Sequence, residues 1–156
     1  MGDVETIQGL KSAVTTDYVK DVDYNAAGQI THITYGNNVT SDYTYDEDTL
    51  RLENILTKKP DGTTKLQDLD YAFDNNGNVS AITDAVNSMT QSFTYDDLNR
   101  LTQAVGSAYG TQNYVYDSIG NMTTKDDYTM TYGAGAAGPH AVTEVTSEVA
   151  PSFCPP

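Results

Sequence analysis

The chain has 156 residues, the size of one ordinary domain, and carries 22 acidic against 8 basic side chains for a formal net charge of -14. Eight basic residues argue against nucleic acid as a partner, because neutralising phosphates needs clustered Lys and Arg, and the single Cys154 rules out an internal disulfide framework or a multi-cysteine metal site. Leu, Ile, Val and Phe supply only 29 residues, which by composition alone would suggest disorder, but 12 tyrosines recur at regular spacing beside turn residues, unlike an unpatterned polar chain.

Residues 1–17 hold neither a basic stretch nor an apolar run, so they read as a partly ordered lead-in without a signal peptide, and no stretch of the chain has the character of a membrane span. From residue 18 a pattern begins. Val22 and Tyr24 stand two apart, which puts both on one face of a strand; Asn25-Ala26-Ala27-Gly28 then carries Asn at the first and Gly at the fourth position of a type I turn closed by a left-handed residue. Ile30 and Ile33 lie on the return strand, so the unit predicts a β-hairpin.

The same unit recurs four more times. Tyr43 and Tyr45 lead into Asp46-Glu47-Asp48-Thr49-Leu50, where one residue is inserted and no Gly is present, so this turn must differ. Tyr71 and Phe73 lead into Asp74-Asn75-Asn76-Gly77, Phe93 and Tyr95 into Asp96-Asp97-Leu98-Asn99, and Tyr114 and Tyr116 into Asp117-Ser118-Ile119-Gly120. Asn99 replaces the Gly, as expected of the next residue able to adopt positive φ. The anchors are spaced by 21, 28, 22 and 21 residues. The longer step contains Pro60-Asp61-Gly62, a strong turn signal, and so predicts a longer hairpin rather than a linker. One offset conflicts with a simple strand: apolar residues fall two and five places after the Gly, as at Val79 and Ile82, which puts them on opposite faces, so either a bulge or two covered faces is needed. After Tyr132 the pattern loosens, and residues 146–156, with three prolines, read as a disordered tail.

Tyr-Asp-x-x-Gly-Asn followed by an apolar-Thr strand, as at residues 116–123 with a Phe version at 73–78, resembles the YD repeat of the RHS family. The variant Tyr-Asp-x-Leu-Asn-Arg-Leu stands at residues 95–101, and the Tyr132–Val142 segment is similar to one near the late part of such shells. The resemblance covers residues 18–145 and implies an all-β array of tandem antiparallel hairpins in a curved open sheet. In teneurin-like and insecticidal-toxin shells, that sheet encloses a C-terminal toxin or other cargo in a secreted or cell-surface protein. The chain is accordingly expected to be a piece of a larger shell, with no cargo, no cofactor and no self-cleaving Asp-Pro segment of its own.

Its expected partners are neighbouring repeats, or further copies joined through open sheet edges, with no nucleic acid and no membrane insertion. The alternative is a cell-surface or carbohydrate-binding module, in which Tyr43, Tyr45, Tyr95, Tyr114 and Tyr116 align as a ladder for stacking sugars. Catalysis has little to stand on. His32 sits between Ile30 and Ile33, and pairing His140 with Cys154 would require a nucleophile held in a proline-rich tail. The turn aspartates occupy equivalent positions in successive hairpins, unlike a glycosidase pair, and Asp74–Asn78 lacks the Gly spacing and final Glu of a calcium loop.

Overall fold

The computed structural model describes residues 4–147. These divide into two units, residues 4–90 and 91–147. In the first, β1 (Ile7–Lys11), β2 (Val14–Tyr24), β3 (Ile30–Tyr35), β4 (Thr40–Tyr45), β5 (Leu52–Lys58), β6 (Lys65–Phe73) and β7 (Val79–Asp84) follow one another. Each pairs antiparallel with the next. The second unit takes most of β8 (Met89–Tyr95), then β9 (Leu101–Gly106), β10 (Gly110–Tyr116), β11 (Met122–Lys125), β12 (Tyr128–Tyr132) and β13 (Val142–Ser147), again paired in chain order. The all-β, tandem-hairpin reading is what the structure has. The 28-residue step is filled by a longer hairpin, β5–β6, whose strands run 7 and 9 residues against 6 and 6 in β3–β4 and which closes at residues 59–64. Within residues 1–17, β1 and the start of β2 form a hairpin through Ser12 and Ala13, both at positive φ.

A bulge at every anchor settles the offset of two and five. Phe73 opposes Val79, but Ala72 opposes Ala81, so Ser80 is the extra residue. Register shifts at the corresponding place likewise leave Thr31, Glu53, Thr102 and Thr123 as the extra residues in their strands. The bulge turns the strand by one position, so that both apolar residues come to the same face. Val79 and Ile82 then lie opposite Phe73 and Tyr71, and Ile30 and Ile33 opposite Tyr24 and Val22.

One face of each unit is therefore aromatic and aliphatic, yet the core is thin. Val22 and Ala104 are the buried hydrophobic residues among those described, while the anchor aromatics are half-buried. The other face of the first unit is polar. There Asp42 accepts from His32 Nδ1 at 2.6 Å, and Asn54 Nδ2 donates to Asp68 and Asp70 at 3.1 and 2.9 Å. Lys65 is ion-paired to Asp68 at 2.6 Å. On the aromatic side, buried Ser41 continues through Thr57 to Gln67 as a cross-strand hydroxyl–amide row. Cross-strand contacts of this kind, rather than a deep interior, carry the sheet.

Candidate interface along the turn edge

The five anchor turns share one construction. In the Asp74 turn the Gly77 amide donates back to the Asp74 carbonyl at 3.1 Å, and Oδ1 accepts the Asn76 and Asn78 amides at 2.9 Å each. Asp96 does the same for Leu98 and Arg100, Asp117 for Ile119 and Asn121, and Asn25 for Ala27 and Gln29. A short acceptor side chain at the first position thus satisfies amides that the reversal would otherwise leave unpaired. The fourth residue is left-handed: φ is 79° at Gly28, 93° at Gly77 and Gly120, and 59° at Asn99. The inserted turn reaches the same state one residue later, with Leu50 at 58° and its amide donating to the Asp46 carbonyl.

These hydrogen bonds favour the ionised carboxylates. The Asn78 side chain and then backbone amides hold Asp74 below the usual aspartate range. The Arg100 side chain does this for Asp96, and the Thr49 hydroxyl for Asp46. At Asp117 burial acts to raise the value, but hydrogen bonds led by Asn121 outweigh it. Burial raises the phenols of Tyr43 and Tyr45 above their usual value.

Two kinds of side-chain contact join one turn to the next, and both run in fixed directions. Backwards, a tyrosine hydroxyl donates to the carbonyl of a residue at the start of the preceding return strand: the anchor Tyr45 to Ile30 at 2.8 Å and, beyond the five anchors, Tyr132 to Met122 at 2.7 Å. Tyr24 likewise donates to Val4 at 2.9 Å. Forwards, the residue after the left-handed position reaches the following turn or loop. Gln29 donates to the Leu50 carbonyl at 2.8 Å, Arg51 to Asp74 at 3.1 Å, Arg100 to Asp117 at 3.3 Å and Asn121 to Pro139 at 3.1 Å. Arg51 also lies over the Phe73 ring at 5.6 Å and Arg100 over the Tyr116 ring at 4.7 Å. Asn121, one of the buried polar residues, additionally accepts from His140 Nδ1 at 2.7 Å.

Within each unit the structure brings the anchors and turn residues singled out by sequence to one edge: Tyr24, Tyr45 and Phe73 in the first, Tyr95 and Tyr116 in the second, each standing at a bulge beside its Asp or Asn. The second aromatics Tyr43, Tyr71, Phe93 and Tyr114 lie two residues earlier on the same half-buried face. The forward donors Gln29, Arg51, Arg100 and Asn121 were not legible as a set. Their only common sequence signal is their place immediately after the Gly, Asn or Leu at positive φ.

The histidines serve local contacts. His32 meets Asp42 across the neighbouring strand β4 and Thr34 on its own strand, 3.0 Å from Thr34 Oγ1. His140 holds Asn121, and Cys154 lies outside the described residues. No group of three or more His, Cys, Asp or Glu among the described residues is placed to hold a metal. The anchor tyrosines are half-buried; the exposed tyrosines are Tyr18, Tyr109 and Tyr128, which do not form the proposed ladder.

Residues 73–112 match the family model described as RHS Repeat. The chain is 30% identical over 169 aligned residues to toxin subunit YenC2 of Yersinia entomophaga, covering 78% of this chain and 17% of that protein. A crystal structure of TcdB2-TccC3-Cdc42 superposes with a TM-score of 0.73 at 27% identity, over 83% of this chain and 8% of that one. A Photorhabdus luminescens Tc holotoxin pore containing TccC3 gives 0.67 at 31%, over 75% and 7%. The chain therefore spans less than a fifth of the length of these relatives.

Proposed function

Because this chain belongs to the RHS/YD-repeat family, we propose that residues 18–145 are a structural, non-catalytic segment of a toxin-encapsulating shell. In the complete assembly this segment contributes wall to an enclosure that holds and helps deliver a C-terminal toxin or other cargo. Such a shell acts outside the producing cell. The observation that carries the reading is the directional joint at the turn edge: a hydroxyl reaching back and a carboxamide or guanidinium reaching forward. That construction extends by adding copies, whereas a thin core with two buried hydrophobic residues among those described offers no enclosed site of its own. The partners that fit are further repeats pairing on the outer edges of β1 and β13.

The test is to translate the DNA on both sides of the coding region and to express the longest resulting reading frame. Tyr-Asp-x-x-Gly-Asn repeats continuing in the flanks, with a C-terminal segment that resists protease until the repeats are cut, is the expected result. Flanks without repeats, together with saturable glycan binding by the 156-residue chain, would replace the shell reading with the surface-binding one.

A further inference from the structure

We propose that the turns at Phe73-Asp74 and Tyr116-Asp117 are guanidinium sockets, each formed by the ring of the anchor aromatic and the main-chain carbonyl of the turn residue beside it, and that Arg51 and Arg100 are their occupants. This rests on the repeat reading only for the equivalence of the turns; the contacts stand by themselves.

At Arg100 the site is complete. Nε and Nη2 bind the Asp96 carboxylate at 2.7 and 2.6 Å, Nη1 donates to the Asp117 carbonyl at 3.3 Å, and the guanidinium lies 4.7 Å from the centre of the Tyr116 ring. Carboxylate, carbonyl and π-face are three surfaces that a flat, five-donor cation satisfies at once and an ammonium does not. The side chain is 28% exposed and its carboxylate partner 24%, so the pair is partly withdrawn from water.

At Arg51 the ring and carbonyl recur, with the Phe73 ring at 5.6 Å and the Asp74 carbonyl at 3.1 Å. The anchor here is Phe, which has no hydroxyl to send backwards. The guanidinium therefore supplies the side-chain joint that Tyr45 and Tyr132 make through oxygen. The Arg51 head also fills the space beside Gly77: a Cβ there would stand 2.9 Å from Nη2. At Gln29 the same position carries a carboxamide, and its contact is with a carbonyl. Only a guanidinium uses the ring.

The experiment is chemical complementation of Arg100→Ala in the 156-residue chain, read by thermal unfolding with methylguanidinium and, separately, methylammonium at low millimolar concentration. Removing the side chain should lower the melting midpoint by roughly 2–4 °C, the shift expected for loss of about one such contact in a chain of this size. Methylguanidinium should restore part of that loss and methylammonium none, with the wild-type midpoint moved by neither. Equal response to the two cations, or response to neither, overturns the socket. If Arg100→Ala does not fold, Arg100→Gln keeps the carboxamide found at Gln29 and leaves the ring open; it must melt below wild type and respond selectively to methylguanidinium. The shell reading stands or falls on the flanking sequence, independently of this result.

Discussion

On one edge of each unit the chain reverses through residues 25–28, 46–50, 74–77, 96–99 and 117–120; on the other it reverses through residues 12–13, 36–38, 59–64, 85–88, 107–110 and 126–127. The first set repeats one construction, with Asp or Asn accepting two amides and a left-handed residue closing it. The second set places Ala13, Asn38, Gly62, Ser88, Gly110 and Asp126 at positive φ, a different solution almost every time. Among those turns, Asp61 does accept the Thr63 and Thr64 amides, so the local chemistry is available there as well. Among the described residues, the position after the positive-φ residue on the second edge carries Val14, Val39, Thr63, Met89, Thr111 or Asp127, none of which is seen donating to a carbonyl of the next turn as Gln29 and Arg100 do. A reversal alone tolerates many sequences; one that must also present a ring and a carbonyl to the preceding hairpin tolerates few.

The comparison is broken most severely at Gly77. Gly77→Val forces a β-branched residue to φ 93° and pushes against Arg51, and should cost about 2–3 kcal/mol in denaturant unfolding. Asn75→Val, two turn positions away, should stay within about 0.5 kcal/mol. Equal losses would mean that the left-handed site does not govern the turn.

A change of opposite sign sharpens the comparison. Leu50 holds a left-handed backbone at φ 58° while 48% exposed, so it bears the conformational penalty with little packing in return. Leu50→Gly should raise stability by about 0.5–1 kcal/mol, and a loss would show that the Leu50 side chain contributes more than its exposure indicates.

The smallest effect concerns protons. Because Asp74, Asp96 and Asp117 are held below the usual aspartate range in the fold, their hydrogen bonds contribute fully above the unfolded value of about 3.9. That contribution fades as pH falls through the lowered folded values. Melting midpoints should thus be nearly flat from pH 7 to 5 with respect to these groups and decline below pH 4. Asp74→Asn, which copies the Asn25 turn, should shallow that decline while changing the neutral-pH midpoint little. A slope unchanged in the variant would remove Asp74 from the acid response.

Hairpins, turn residues and repeat spacing were legible because they rest on local chemistry: a period of two, an amide-accepting Asp or Asn, and a residue able to adopt positive φ. The conflict between Val79 and Ile82 left either a bulge or two covered faces, and the register of the neighbouring strand decides for a bulge at Ser80. The joints were not legible. Arg100 stands in the sequence only as part of the Tyr95–Leu101 motif and Arg51 carries no motif, and only the neighbouring hairpin shows that their heads rest on Tyr116 and Phe73. The hydroxyl struts were hidden for the same reason, since a tyrosine chosen for its ring gives no sign of where its oxygen points. The hairpin of β1 and β2 turns through Ser12-Ala13, which carries neither Gly nor Asn to mark it.

Pairing each strand within a unit with its immediate successor also has a consequence for biosynthesis. No strand there has to wait for a distant partner to be translated, and the chain segments to be closed before contacts form are short. As the polypeptide leaves the ribosome, each hairpin of a unit can find its register against the one already formed, so the sheet of each unit can be built strand by strand from its N-terminal side. A bulge at every anchor then acts as a register mark, because a strand that slipped by one residue would carry its tyrosine to the wrong face.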